Sequence, residues 1–430
     1  MKKTVLLAFI LIVSISYNTL KAQPIGSVLT VDIPQNHHFS PERLQRIDAV
    51  IRQYIDSNWI AGAIALVAKD GTVIYNKSFG YNGIKNQPLQ KDAIFRIASQ
   101  TKAITSVSVM MLYEEGRLLL DDPISKYIPE FKNPTIIDKY NAVDTSYTTL
   151  PAKREITIRD LLSHTSGIAY AQIGSPVMNA IYYKAGVTSG IGLPNGLLLG
   201  DAIKKLGSLP LAHAPGEKFT YGLNVDVLGY MVEVISGMSL NDFFQKRIFT
   251  PLGMKDTYFY IPPSKQNRLI VLQTEDKNRH TKKLDDITQL NGDFYSNYPA
   301  LNKTYYSGGG GLSSTAYDYA LFMQMLLNGG QFNGTRFLSP ATIQLMTTNQ
   351  IGDLYNGKSK FGLGFELVTE SNFSRTVLPI GTFSWGGMFS SSYWIDPKNK
   401  IVAQFVLQVL HNTHGDLLDK FKTLVYQALD

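Results

Sequence analysis

The sequence predicts an α/β domain, with an antiparallel sheet flanked by helices, that is assembled from two separated chain segments. Apolar residues alternate as in strands at residues 63–81, and strand-like segments return between 361 and 410. Between these regions, from Ser99 to about Arg247, the hydrophobic period is mainly helical. We therefore expect a mostly helical domain inserted into the α/β domain. The proposed division is a signal peptide at 1–22, a discontinuous α/β domain at 40–95 plus 312–430, and a mostly helical domain at 96–311.

The first residues have the composition of a secretory signal. Lys2 and Lys3 precede an apolar run from Val5 to about Ser16, and small and polar residues follow. The run is too short for a membrane span. We expect cleavage after Ala22, a secreted or periplasmic mature protein and no stable membrane association. An uncleaved N-terminal anchor is the alternative.

Composition excludes several classes of protein. The chain has no cysteine, which rules out disulfides, thiolate metal sites and cysteine nucleophiles. The net charge of +7 falls to +4 when the three lysines of the signal are removed, and no run of Lys and Arg is interleaved with aromatic residues. Nucleic acid is therefore not an expected partner. His411 and His414 are three residues apart without a companion carboxylate cluster, so no metal is expected, and no organic cofactor is expected either.

The first chain segment begins with a helix and a hairpin. A helical pattern spans about Pro41 to Ser57. Apolar residues then alternate on both sides of Asp70-Gly71, a dipeptide that is the strongest short signal for a two-residue hairpin turn. This pair of strands begins an antiparallel sheet and not a nucleotide-binding unit.

The middle of the chain is interpreted as helices separated by loops. Segments rich in Gly, Pro and Ser near 130–155 and 168–200 interrupt the helical period, and a helix is expected at 225–236 after a Pro-Gly turn. The polar stretch between Thr250 and Ala300 receives no assignment.

The last segment predicts a helix, several strands and a closing helix. Thr315, with Asp318 three residues later, resembles a capping box, and Gly329 supplies the C-terminal stop. The expected elements that follow are strands at 361–368, 391–395 and 401–410, a turn at 396–399, and a helix at 416–428.

A serine and a lysine lie three residues apart where the first middle helix begins. In a helix such positions share a face, so Ser99 and Lys102 would point the same way. Peptide dipoles at a helix N-terminus favour a developing negative charge. A lysine shielded from water in a cleft can act as the base for a neighbouring hydroxyl. Ser-x-x-Lys alone, however, occurs by chance in many proteins.

Several longer blocks surround this pair in a characteristic order. They are ITIRDLLSHTSGI, PGEKFTYGLNVDVLGYMVEVISG, IFTPLGMKDT, GGGGLSSTAYDYALFMQMLLNGG and FSWGGMFSSSYWIDP. Over roughly residues 40–430 the chain resembles the penicillin-recognising serine hydrolases: class C β-lactamases, D-alanyl-D-alanine carboxypeptidases and family VIII carboxylesterases. The resemblance implies the serine β-lactamase/DD-peptidase-like fold, with Ser99 as nucleophile and Lys102 as base.

The family's second motif, Tyr-x-Asn, has no simple counterpart. Tyr221 occupies the expected place before the 225–236 helix, but the asparagine, Asn224, comes one residue late. The resemblance implies that Tyr221 relays protons and that Asn224 contacts substrate or lysine. Tyr295-Ser296-Asn297 matches the motif literally but lies in a loop-like polar segment, and a plain buried aromatic is the structural interpretation of Tyr221.

The family's third motif normally carries a cation and a hydroxyl, and here it is Trp385-Gly386-Gly387. Trp385 offers an indole N–H and an apolar face but no charge. Without a clamp for a substrate carboxylate, neutral esters become better candidates. Gly386 and Gly387 allow a substrate close to the strand. The resemblance implies an oxyanion hole made by the amides of Ser99 and Met388. A strand-end turn with a packed Trp is the structural alternative.

Two other features receive structural interpretations. His164 is expected to bond to backbone at a helix end, because this family uses Lys and Tyr as its bases. Gly308–Gly311 is followed by no Gly-Lys-Ser/Thr and is expected to be a tight turn. No Gly-x-Ser-x-Gly elbow occurs, which argues against an α/β-hydrolase.

These observations predict a secreted serine hydrolase that works through an acyl-enzyme and acts on a small ester, amide or peptide. A carboxylesterase is favoured. The alternatives are a D-Ala-D-Ala carboxypeptidase or other D-amino-acid peptidase, then a β-lactamase. A non-catalytic protein that binds peptidoglycan fragments is the alternative from a different class.

Overall fold

The structure, a computed structural model, describes residues 29–193, 196–290, 292–301, 304–357 and 359–430. The predicted signal peptide at 1–22 lies outside the described residues. The α-helices are α1 Pro41–Asp56, α2 Thr101–Glu114, α3 Ile158–Leu162, α4 Pro176–Lys184, α5 Leu199–Gly207, α6 Asn224–Ser236, α7 Leu240–Phe244, α8 Thr250–Leu252, α9 Ala316–Leu327, α10 Pro340–Met346 and α11 Asp416–Tyr426.

The strands are short outside the central sheet. They are β1 Thr30–Val31, β2 Gly62–Lys69, β3 Thr72–Gly80, β4 Phe95–Arg96, β5 Thr135–Tyr140, β6 Tyr147–Pro151, β7 Gln273–Glu275, β8 Thr281–Lys283, β9 Ile287–Gln289, β10 Asp293–Tyr295, β11 Ser313–Ser314, β12 Gln331–Phe332, β13 Thr335–Arg336, β14 Lys360–Phe361, β15 Glu366–Leu367, β16 Phe383–Gly387, β17 Ser391–Asp396 and β18 Ile401–Val406.

One eight-stranded sheet joins the two ends of the chain. Its order is β1-β3-β2-β18-β17-β16-β15-β14, so strands from the N-terminal segment lie directly beside strands from the C-terminal segment. All neighbouring pairs are antiparallel except β1 and β3, and the β2–β3 hairpin turns at Asp70-Gly71. The predicted fold class, an antiparallel sheet from two chain segments flanked by helices, is confirmed. The domain boundaries themselves stay a prediction.

Both faces of the sheet are buried, and alternate residues of β2 face opposite cores. Ile64 and Leu66 belong to the core that contains α2 and α9, whereas Ala65 and Val67 belong to the core that contains α1 and α11. Burial on both sides explains why β2 is apolar at nearly every position. Helix α2 is buried from Thr101 to Leu112, so the element that follows Ser99 is fixed from all sides. Among the described residues, no helix combines the length and the apolar character needed to cross a membrane.

Two local predictions at the C-terminal end were wrong. The single strand predicted at 361–368 is two short strands, β14 and β15, that pair with each other. Gly364, at φ +98°, lets the chain reverse between them, which few other residues tolerate. The predicted capping box is half formed, because Thr315 accepts from the Asp318 amide while the Asp318 carboxylate accepts from the Asp256 amide instead.

The segments that the sequence left as loops also contain strands. β5 and β6 form a hairpin within the Gly/Pro/Ser-rich segment near 130–155. The unassigned stretch from Thr250 to Ala300 holds two antiparallel pairs, β7 with β8 and β9 with β10. These strands are short and mostly polar, so the alternation on which a strand prediction depends is weak.

Candidate active site

Ser99 lies in the tight turn that directly precedes the buried helix α2. The turn Ala98–Gln100 is a short 3-10 segment, and Thr101 begins the α-helix directly after it. Ala98 has φ +46°, a left-handed conformation that costs a residue with a Cβ about 1–2 kcal/mol. Backbone strain of this kind persists where the surrounding packing enforces it, and it is common at functional sites. The fold therefore holds the serine in a rigid and strained bend.

The nitrogen of Lys102 lies beside the Ser99 hydroxyl, as their spacing predicted. It donates to Ser99 Oγ at 3.2 Å, to Tyr170 Oη at 3.0 Å and to the carbonyl of Gly309 at 2.6 Å. The side chain is only 2% exposed. It also lies 4.7 Å from the centre of the Tyr221 ring, in cation–π range. Lys102 is thus shielded from water and directed at Ser99.

Tyr221 completes the contacts of the Ser99 hydroxyl. Its hydroxyl donates to Ser99 Oγ at 2.7 Å, and the indole N–H of Trp385 donates to the same tyrosine oxygen at 3.3 Å. The residue joined to Ser99 is therefore Tyr221 and not Tyr295. The carbonyl of Ser296, in the literal Tyr-x-Asn match, instead accepts from the buried Arg96 guanidinium at 2.5 Å.

Tyr170 is a site residue that the sequence reasoning missed. Its hydroxyl contacts Lys102, and its ring centre lies 5.4 Å from that of Tyr221. Burial, reinforced by the neighbouring Tyr221 and Asp226, raises the pKa of Tyr170 well above its ordinary value, so this phenol keeps its proton. No spacing rule links Tyr170 with Lys102, because the two are 68 positions apart. The only signal was that this tyrosine follows the ITIRDLLSHTSGI block by two residues.

The glycine run has a direct role beside its structural one. The Gly309 carbonyl accepts the shortest of the three hydrogen bonds from Lys102. There is no room for side chains here: a Cβ on Gly308 would lie 2.7 Å from the Val225 carbonyl, and one on Gly309 would lie 2.2 Å from the Asp226 carboxylate. The run lets the backbone approach the lysine as closely as it does.

Asn224 does not reach the cleft. It is completely buried; its carbonyl accepts from Ser166, and its amide donates to His164 Nδ1 at 3.0 Å and to the Ile168 carbonyl. The His164 ring packs against the Tyr221 ring with centres 4.8 Å apart. Burial first, and then the charge of Lys102, lower the pKa of His164 well below its ordinary value, so it is neutral. His164 therefore packs against the Tyr221 ring, and Asn224 holds His164 in place through its hydrogen bond.

The strand that carries Trp385, Gly386 and Gly387 lies beside the nucleophile turn. A Cβ on Gly387 would come within 2.6 Å of the Ile97 carbonyl, two residues before Ser99. Met388 follows the end of the strand, and 43% of its surface is exposed. The structure therefore places the strand end that precedes Met388 beside the turn that carries Ser99, as their expected role as oxyanion donors requires.

A cavity of about 290 Å³ opens beside these residues. Its wall includes Tyr170 and the side chains of Ile173, Leu290, Met388 and Leu410. The other described residues of the lining are Gln172, Ser189, Gln289 and His411, so no Lys, Arg, Asp or Glu occurs among the described lining residues. Its size is at the lower end of the range of about 300–1,000 Å³ for small-molecule sites. Within the described residues, no three His, Asp or Glu side chains cluster closely enough to hold a metal ion.

Known proteins are similar in sequence to this chain over most of its length. The family model described as Beta-lactamase matches residues 47–427. Protein Rv1367c of Mycobacterium tuberculosis is 33% identical, covering 84% of this chain and 88% of that protein. Esterase EstB of Burkholderia gladioli is 28% identical, covering 82% and 86%. A putative D-alanyl-D-alanine carboxypeptidase of Escherichia coli K12 is 28% identical, covering 98% and 93%.

Solved structures share its fold. The structure described as EstCE1, a hydrolase with promiscuous acyltransferase activity, superposes with a TM-score of 0.76 at 27% identity, covering 90% of this chain and 99% of that one. Simvastatin synthase from Aspergillus terreus reaches 0.75 at 21% identity, covering 90% and 98%, a likeness of fold alone. The resemblance inferred from the sequence blocks is confirmed.

Proposed function

The chain belongs to the Beta-lactamase family of serine hydrolases, and we propose that it is a carboxylesterase that works through an acyl-enzyme on Ser99. One observation carries the proposal: the Lys102 nitrogen and the Tyr221 hydroxyl both contact Ser99 Oγ, at 3.2 and 2.7 Å. A hydroxyl in contact with a buried amine and a phenol has a base for its proton and an acid for the leaving group.

Acylation begins when Ser99 Oγ attacks the ester carbonyl carbon. Lys102 takes the Ser99 proton as the new C–O bond forms. The backbone amides of Ser99 and Met388 are the proposed donors to the oxyanion. Tyr221 gives its proton to the departing alkoxide and recovers one from Lys102. An alcohol leaves, and the acyl group remains on Ser99 as an ester.

Deacylation repeats these steps with water as the nucleophile. Water attacks the acyl carbon, and Lys102 together with Tyr221 accepts its proton. The proton then passes to Ser99 Oγ as the acyl–oxygen bond breaks, which releases a carboxylic acid and restores the enzyme. Tyr170 keeps its own proton throughout, because burial raises its pKa. Its hydroxyl serves as a fixed partner of Lys102.

Two features support a neutral ester as the substrate. Trp385 stands where related enzymes carry a cation, and its N–H donates to Tyr221. The cavity beside Tyr170 and Met388 has aliphatic walls, and none of the described residues that line it is a Lys, Arg, Asp or Glu. A short or medium aliphatic acyl chain fits such a lining, whereas a carboxylate would lose hydration without gaining a partner.

The test is a turnover assay of the mature protein with three substrates. These are p-nitrophenyl butyrate, a chromogenic cephalosporin and a D-Ala-D-Ala peptide. We expect the ester to be cleaved fastest and Ser99→Ala to abolish the reaction. Ser108→Ala is the matched control, because Ser108 is a buried serine of the same helix whose hydroxyl bonds to the Ile104 carbonyl. It should remain active.

A cell-wall peptidase is the second candidate, favoured by the relative named as a putative D-alanyl-D-alanine carboxypeptidase. Faster cleavage of the peptide would establish it and would contradict the argument from Trp385. Faster cleavage of the cephalosporin would indicate a β-lactamase. A protein that turns over nothing and fails to react with a fluorophosphonate would instead be a binding protein for peptidoglycan fragments.

We also propose that the enzyme acts outside the cytoplasm, after removal of residues 1–22. The lysine pair followed by an apolar run supports this. Mass spectrometry of the protein from the producing cell should give an N-terminus at Gln23. A chain that retains residues 1–22 in the membrane fraction would indicate an anchored enzyme.

A further inference from the structure

A buried carboxylate lies behind the catalytic lysine and takes no part in the proposed chemistry. Asp226, in the first turn of α6, is 1% exposed. Its Oδ1 accepts from the Ser307 hydroxyl at 2.5 Å and from the Gly309 amide at 3.3 Å. Burial raises the pKa of this carboxyl. Burying a carboxyl is unfavourable unless its hydrogen bonds are made, so these bonds also fix the groups that donate them.

Gly309 connects the carboxylate to the base. Its amide donates to Asp226, and its carbonyl accepts from Lys102 at 2.6 Å. A glycine adopts many backbone conformations, and this one is in a run of four. A carbonyl on such a flexible residue can orient the lysine only if something else fixes the residue. Thr105 bonds the neighbouring Gly308 carbonyl at 2.8 Å, and Asp226 bonds the Gly309 amide itself.

We propose that Asp226 is a positioning residue for Lys102: by fixing Gly309 it directs the Gly309 carbonyl, and through it the lysine nitrogen, towards Ser99. This inference rests on the proposed function, in which Lys102 is the base. In this inference the orientation of the Lys102 nitrogen depends on where the acceptor oxygen of Asp226 lies, and not on the negative charge of the carboxylate. Helix α6, which carries Asp226, begins three residues after Tyr221. One element therefore aligns both Lys102 and Tyr221.

A second buried carboxylate provides a matched control. Asp318 lies in the first turn of α9, is 5% exposed, and accepts from one amide, that of Asp256, and one hydroxyl, that of Thr257. Asp226 makes the same kinds of bond at the same kind of position. Asp318 has no part in the machinery described above. Loss of either carboxylate costs stability, but only Asp226 should affect proton transfer.

The experiment compares Asp226→Asn, Asp226→Glu and Asp226→Leu with Asp318→Asn and Asp318→Leu in the full chain. The readouts are kcat and KM for p-nitrophenyl butyrate, the rate of Ser99 labelling by a fluorophosphonate, and Tm. Asparagine keeps an acceptor oxygen in place without charge. Glutamate keeps the charge but moves the oxygen by one methylene. Leucine keeps the approximate shape of the side chain and removes both the acceptor oxygen and the charge.

We expect Asp226→Leu to lower kcat by about 100-fold, the effect of a base displaced by about 1 Å. KM should not change, because Asp226 lies outside the lining of the cavity. The labelling rate should fall with kcat. Asp226→Asn should retain most of the wild-type kcat, and its kcat should be higher than that of Asp226→Glu. Asp318→Leu should lower Tm without lowering kcat.

Other outcomes would overturn the inference. Wild-type kcat in a folded Asp226→Leu protein would show that the lysine needs no such anchor. Activity in Asp226→Glu together with its loss in Asp226→Asn would assign the effect to charge. If Asp226→Leu does not fold, the inference is tested by whether Asp226→Asn or Asp226→Glu has the higher kcat. A wild type that labels but cleaves no ester would contradict the esterase, while the labelling rates would still test Asp226.

Discussion

The two sides of Ser99 are built differently. On the helical side, Lys102 is 2% exposed and its nitrogen donates to three acceptors at 2.6 to 3.2 Å. On the strand side, Trp385 is partly buried, Met388 is 43% exposed, and a cavity of about 290 Å³ opens beside them. The groups that we propose to move protons are fixed before a substrate arrives, whereas the surface that we propose to receive the substrate is open.

This difference separates the chemistry from the choice of substrate. Preorganised partners need little rearrangement in the transition state, so the helical side should be intolerant of change. An open surface of loops and strand ends changes with smaller consequences for the fold. Substitutions on the helical side should therefore lower the rate for every substrate, and substitutions on the strand side should alter preference among substrates.

The largest loss is expected on the helical side, from Lys102→Met. Methionine fills a similar volume but has no amine to accept the Ser99 proton. We expect kcat/KM for p-nitrophenyl butyrate to fall by about 10²–10⁴-fold, the usual contribution of a general base. Lys360→Met, at another buried lysine, is the control and should keep its activity. Activity in Lys102→Met would place the base elsewhere.

Replacement of the two tyrosines should separate their roles. Tyr221→Phe removes the acid that protonates the leaving group, so the loss should be larger for ethyl butyrate than for p-nitrophenyl butyrate, whose leaving group needs no proton. Tyr170→Phe removes one hydrogen bond to Lys102, worth about 1 kcal/mol, and should slow both esters equally by about fivefold. Leaving-group sensitivity in Tyr170→Phe would contradict this assignment.

The strand side should show a smaller effect that concerns preference. Trp385→Lys restores a cation near the cleft. The ratio of rates for a p-nitrophenyl monosuccinate over the butyrate should then rise about threefold, as expected for a partly exposed ion pair of under 1 kcal/mol. Trp385→Phe, which keeps a ring without charge, is the control. An equal rise in both variants would point to the lost indole and not to the added cation.

The smallest effect on catalysis is expected far from the cleft, at Asp318. Burial raises the pKa of this carboxyl to about 6, so the folded state holds its proton more tightly than the unfolded chain does. Its contribution to stability is complete below about pH 4, the unfolded value, and is lost as the pH rises through about 6. Urea unfolding from pH 4 to 7.5 should show this loss in the wild type and less of it in Asp318→Asn, with equal kcat.

The sequence determined the features that depend on local spacing. Positions three apart in a helix share a face, so Ser99 and Lys102 could be paired from the sequence, and Asp70-Gly71 located the β2–β3 hairpin that begins the sheet. The fold class followed from apolar alternation at both ends of the chain. The strand predicted at 361–368 failed because a single glycine conformation, at Gly364, reverses the chain.

Only the tertiary structure decided which distant residues surround the lysine. Tyr170 is 68 positions from Lys102 and Gly309 is 207 positions away, and Asn224 proved to face His164 and not the cleft. Local patterns record which face of an element is apolar, but they do not record which faces meet. Contacts between distant segments depend on the packing of the whole core, and that packing placed Tyr170, Gly309 and Asp226 around the lysine that the sequence had already indicated.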